Sequence, residues 1–76
     1  MASSAVVEPA IPPKEDLEAL ILQRLGGRVR EFRIDVRPGG MILDGWATTY
    51  HAKQLAQHVA MEISGLPILA NEIEVR

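Results

Sequence analysis

An α+β domain ordered αββαβ, a two-layer sandwich with two helices on one face of a three-stranded mixed sheet, follows from three features of this 76-residue chain. Two stretches carry apolar residues at helical spacing. Between them lie two alternating stretches joined by Pro38-Gly39-Gly40, and a third alternating stretch closes the chain. Glycine or proline stands at most of the joins, where the chain must reverse.

Residues 1–13 read as a flexible leader rich in Ala, Ser and Pro, and 14–76 as the single domain. Pro12 and Pro13 stand at or just before the first helical turn, where no amide donor is missed. Glu15, Asp16 and Glu18 follow at the end where the helix dipole favours negative charge. Leu17, Leu20, Ile21 and Leu25 form one apolar stripe with Leu22 at its edge, and Gly26-Gly27 ends the helix.

In the first strand Phe32, Ile34 and Val36 are expected inward, and Arg33, Asp35 and Arg37 outward. Proline followed by glycine then predicts a tight hairpin. The returning strand places Met41, Leu43, Gly45 and Ala47 on the core side and Ile42, Asp44 and Trp46 on the other. The small Gly45 and Ala47 are read as room for a helix to approach. Thr48 or Thr49 caps the second helix. Its stripe is Ala52, Leu55, Ala56, Val59, Ala60 and Ile63, and its end is Ser64, Gly65 as left-handed cap, Leu66 and Pro67. The last strand runs from about Ile68 to Val75, with Leu69, Ile73 and Val75 inward and Glu72 and Glu74 outward. Asn71 shares the inward parity, so a bulge or an amide-to-backbone hydrogen bond must accommodate it.

Each helix has one apolar stripe, so both cover the same sheet face. The strand–helix–strand unit lays its last strand parallel to the second, giving the order 1-2-3 with the hairpin's return strand central. The opposite sheet face is left uncovered.

Composition narrows function. Apolar residues make up 47% and net charge is −2, which suits a packed core and gives no overall attraction to nucleic acid. Cysteine is absent, removing disulfides, thiolate metal sites and the commonest strong nucleophile. Serines are confined to the leader and Ser64, no carboxylate pair sits in an apolar setting, and neither glycine pair forms a phosphate-cradling loop. No enzyme and no cofactor is expected. His51, His58 and Glu62 share a helix flank, but the histidines stand about 10 Å apart along the axis, so a solvated flank with a His58–Glu62 pair outweighs a metal site. Tyr50 is read as tucking over Ala47 or the sheet edge, and Met61 as lying exposed on the outward face.

The segment Gly-Met-Ile-Leu-Asp-Gly-Trp-Ala (residues 40–47), the alanine-rich helix, and Asn71-x-Ile73-x-Val75 after the helix-ending Gly65 together resemble the BON domain, the family found in bacterial osmotically induced and nodulation proteins. The resemblance spans about residues 15–76, and its motifs are structural. It implies an αββαβ binding module without enzymatic activity, often directed to phospholipid surfaces of the bacterial envelope. The chain carries one copy, shows no export signal and no apolar run of membrane-spanning length, and is expected to stay in the cytoplasm as given. An envelope or periplasmic location would require a longer precursor.

Arg33, Arg37, Ile42 and Trp46 on the uncovered face are the candidate contact residues. They suit a protein partner, self-association or an anionic phospholipid surface. An arginine stacked on Trp46, shielding it, is the competing reading. A less favoured alternative is a KH-like RNA- or DNA-binding domain using Arg24, Arg28, Arg30, Arg33 and Arg37, which fall within fourteen residues. It lacks the Gly-x-x-Gly clamp and has a single exposed aromatic for bases to stack on.

Overall fold

The structure, a computed structural model, describes residues 13–76. The leader expected over residues 1–13 therefore lies, except for Pro13, outside the described residues. The elements are α1 (Lys14–Leu25), β1 (Val29–Arg37), β2 (Gly40–Ala47), α2 (Tyr50–Ser64), β3 (Ile68–Asn71) and β4 (Glu74–Val75). This is the αββαβ order with its last strand interrupted at Glu72 and Ile73. β2 is central, antiparallel to β1 on one side and parallel to β3 and β4 on the other.

Pro13, with φ of −54°, enters α1, and its carbonyl accepts the Leu17 amide at 3.0 Å. Leu17, Ile21 and Leu25 are fully buried, whereas Leu20, expected in the same stripe, is 44% exposed. Helical residues advance by about 100°, so the four-residue steps from 17 to 25 drift and centre the buried face near Ile21. Leu20 and Leu22 each fall about 100° to one side of it. Gly26 closes the helix in the left-handed conformation, its amide donating to the Leu22 carbonyl at 3.1 Å.

β1 does not alternate simply. Val29 and Arg30 pair with Ala47 and Trp46, and pairing resumes at Arg33 with Asp44, so Glu31 and Phe32 together oppose Gly45. Glu31 takes a φ of +54° to make this bulge. Val29 and Phe32, three residues apart, are both buried, and Arg30 joins Arg33 on the outer face. A Cβ on Gly45 would lie 2.8 Å from the Arg30 carbonyl oxygen. The glycine makes room for the neighbouring strand, not for a helix, which corrects the expectation from sequence. Val36, expected inward, is 44% exposed: it lies at the hairpin end of the edge strand, past the Ile34 amide that Glu18 of α1 reaches.

Thr49, and not Thr48, caps α2, its hydroxyl accepting the Ala52 amide at 3.1 Å. Ala52, Ala56, Val59 and Ala60 are buried, with Leu55 and Ile63 packed at the rim of the core. Gly65 is the left-handed cap. Ser64 Oγ donates to the Ala60 carbonyl at 2.7 Å and accepts the Leu66 amide at 3.0 Å. The following loop presses on the hairpin: the Pro67 carbonyl accepts the Met41 amide at 3.0 Å, and a Cβ on Gly40 would run into that same oxygen.

Leu69 and Val75 depart from the inward placement expected of them. Register moves from Met41–Ile68 to Ile42–Ala70, so Leu69 is the extra residue and is 51% exposed, while Ile68 packs on the core. Val75 keeps inward parity beside Ala47 but is exposed on the outermost strand. Asn71 faces the helix layer as its parity requires, and the expected amide-to-backbone hydrogen bond accommodates it. Its amide donates to the Lys53 carbonyl (2.9 Å) and to Gln57 Oε1 (3.3 Å), its Oδ1 accepts the Ile73 amide (3.2 Å), and the strand breaks just beyond it.

The free edge of β1 is partly closed by α1. The closing pair Arg37–Gly40 turns the odd-numbered amides toward β2 and the Ile34 amide outward, where Glu18 Oε2 accepts it at 2.9 Å. An unpaired edge is a template for strand addition. Glu18→Ala is expected to speed hydrogen exchange at the Ile34 amide about tenfold, the equivalent of one net hydrogen bond. An unchanged exchange rate would show that the carboxylate does not hold this edge.

Candidate functional site

Strand register sets the sheet face that neither helix covers, the uncovered face among the described residues, as three cross-strand rows. Arg30, Trp46 and Glu74 are partners in the first; Arg33 and Asp44, with Glu72 beside them, form the second; Asp35, Ile42 and Ala70 form the third. Columns follow from the rows. β1 presents Arg30, Arg33 and Arg37 with one carboxylate, Asp35. β2 presents Ile42, Asp44 and Trp46. The outer strands present Glu72 and Glu74. The β1 bulge is what brings Arg30 into this array, because an unbroken period of two would have turned it toward the core.

Trp46 lies on this face, partly buried, and not between the layers. The guanidinium of Arg76 lies 4.8 Å from its ring centroid and that of Arg30 5.9 Å away. The shielding stack therefore exists, but neither Arg33 nor Arg37 makes it. Arg76 also bonds Glu74 at 3.0 Å. Around the indole is a shallow depression of about 750 Å³ bordered by Glu31, Arg33, Asp44, Trp46, Glu72, Glu74 and Arg76. A second of about 290 Å³ joins Lys14, Arg33, Arg37, Ile42 and Glu72. Arg33 borders both, so of the four expected contact residues it is the one that links Trp46 to Ile42.

Arg37 is held along its own strand by Asp35, with hydrogen bonds of 2.7 and 2.9 Å. That hydrogen bond, reinforced by the charge of Arg37, keeps the Asp35 carboxyl below its usual range and raises Arg37 in turn. Both side chains are more than half exposed, so the pair adds little to stability.

The run of arginines from 24 to 37 does not form one patch. Arg24 crosses to Glu62 on α2 at 3.1 Å, Arg28 donates to the Leu25 carbonyl, Arg30 turns to Trp46 and Arg37 to Asp35. Among the described residues Arg33 has no ion pair within 4.0 Å. The uncovered face sets Arg30, Arg33, Arg37 and Arg76 against Asp35, Asp44, Glu72 and Glu74, leaving no net charge, and Glu31 borders it at the bulge. The continuous basic surface that the nucleic-acid alternative needs is absent from it.

Elsewhere, Glu62 is engaged by Arg24 and not by His58, and both histidines are exposed. Among the described residues no group of three His, Cys, Asp or Glu side chains is placed to hold a metal ion. Tyr50, expected to tuck inward, is 62% exposed, its hydroxyl accepting from Gln54 at 2.7 Å. Met61 is exposed, as read. No ionisable side chain among the described residues is buried.

Arg30, named from sequence only within the arginine cluster, Glu72 and Glu74, read only as outward-facing, and Arg76, not named at all, lie on the same face as the four expected contact residues. A charged residue at core parity, Arg30 beside Phe32, was the available signal for the bulge. Among the described residues no helix is long and apolar enough to cross a membrane. No family model, curated protein or solved structure matches this chain.

Proposed function

We propose that this chain is a non-catalytic binding module of the BON type that holds a protein partner on its uncovered sheet face. The observation that carries this reading is the arrangement of that face: Trp46 and Ile42 lie in a central column between an arginine column and a glutamate column. Tryptophan and arginine supply much of the binding energy of protein interfaces, and opposed charge columns set orientation. An anionic phospholipid layer is less well matched. Membrane attraction scales with clustered basic residues, and here Asp44, Glu72 and Glu74 would face the headgroups.

A photo-crosslinking residue replacing Ile42 is expected to capture discrete proteins, this chain included, from an extract of the source cells, while the same residue replacing His58 is not. Equal capture from both positions, or none from position 42, would overturn the reading. The chain is also expected not to float with phosphatidylserine vesicles. Flotation that is lost on adding salt and on Arg33→Glu would transfer the face to lipid binding.

A further inference from the structure

We infer that a second copy of this chain is a partner of the uncovered face, in a symmetric dimer whose two-fold axis runs along the strands. The inference rests on the reading of that face as a protein-binding surface and names the occupant. Its basis is the charge order across the sheet: arginines on β1, glutamates on the outer strands, and Ile42, Asp44 and Trp46 between them.

Stacked sheets pack about 10 Å apart with strands near −30°, which keeps rows in approximate correspondence over a face this small. A two-fold axis along β2 exchanges left and right. It lays Arg30 over Glu74 of the second copy and Arg33 over Glu72 of the second copy, each twice. An axis across the strands instead sets Arg33 on Arg33 and Glu72 on Glu72. Only the first orientation is self-complementary. It brings the two Trp46 side chains and the two Ile42 side chains together along the axis. It also brings Asp44 against its own copy, with Arg33 of each chain as its register partner, and carries the Arg76 guanidinium on each Trp46 toward the axis, two like-charge approaches that weaken the pair further. A footprint three strands wide and three rows long falls short of the roughly 800 Å² per partner of a stable complex, so the dimer is weak and depends on salt.

The test is sedimentation equilibrium of the 76-residue chain up to millimolar concentration, at low and high salt, for the parent, Arg33→Glu, Glu72→Arg and an equimolar mixture of the two variants. Each variant alone places two like-charge pairs in the dimer, and dimerisation should weaken about tenfold or more. The mixture restores both pairs between chains, so its affinity should return to within about threefold of the parent. Intramolecular compensation cannot imitate this, because neither chain carries both changes.

A parent that stays monomeric at low salt overturns the dimer, as does a mixture no tighter than its components. Crosslinking from position 42 to other proteins by a monomeric chain leaves the binding-face reading standing and removes only the second copy. Dimerisation indifferent to both reversals places the contact elsewhere.

Discussion

Leu43→Ala is expected to lower the unfolding free energy by about 3 kcal/mol, within the range for truncating a buried leucine. Leu43 is fully buried on the central strand, paired with Ile34 on one side and Asn71 on the other. Alanine removes apolar area from both layers and leaves a hole that strands bonded on each flank cannot close. A domain this small holds only about 5 kcal/mol in all, so most of its stability is at stake. At a urea slope of about 1 kcal/mol/M the midpoint should fall by about 3 M. Leu69→Ala is the matched comparison, because Leu69 is half exposed, and it should cost less than about 0.5 kcal/mol. Equal losses at the two positions would mean that the outer-strand register is not the one described.

Gly45→Ala is the second large effect, expected at about 2–4 kcal/mol. The new Cβ would meet the Arg30 carbonyl at 2.8 Å and the Phe32 Cα at 3.2 Å, and the backbone φ is +137°. Both obstacles are backbone of the adjoining strand, so a change of rotamer cannot relieve them. Relief requires moving the bulge at Glu31, which would disturb the rows that hold Arg30, Arg33 and Trp46. Urea unfolding together with the amide shifts of residues 29–33 reads both consequences. A loss below about 1 kcal/mol with unchanged shifts would show that the bulge does not depend on this glycine.

The two predictions also separate what could be read early from what could not. Leu43 was legible as core because the alternation of β2 is unbroken from Met41 to Leu43. Gly45 was legible as special, but for the wrong reason: its close neighbour is a strand bulge formed by residues fourteen positions earlier. Leu20 and Leu69 were misplaced for related reasons. Helix phase depends on where α2 and β1 stand, and an extra residue in a strand shows only when its partner is known. The arginine run, read from sequence as solvated surface in preference to a single basic patch, disperses: the side chains leave on α1, a loop and a bulged strand, and Arg24, Arg28, Arg30 and Arg37 each meet a different neighbour.

Local chemistry alone determined the element order, both helix ends, the hairpin, the central place of β2 and the tension at Asn71. These depend on φ preferences, caps and periodicities acting over a few residues. Pairing between distant segments determined the rest: the β1 bulge, the break in the outer strand, the shielding of Trp46 by Arg30 and Arg76, and the opposed charge columns. The reason is physical. Register is fixed by contacts whose energies are shared between residues far apart in the chain, and a one-residue shift turns every following side chain to the other face.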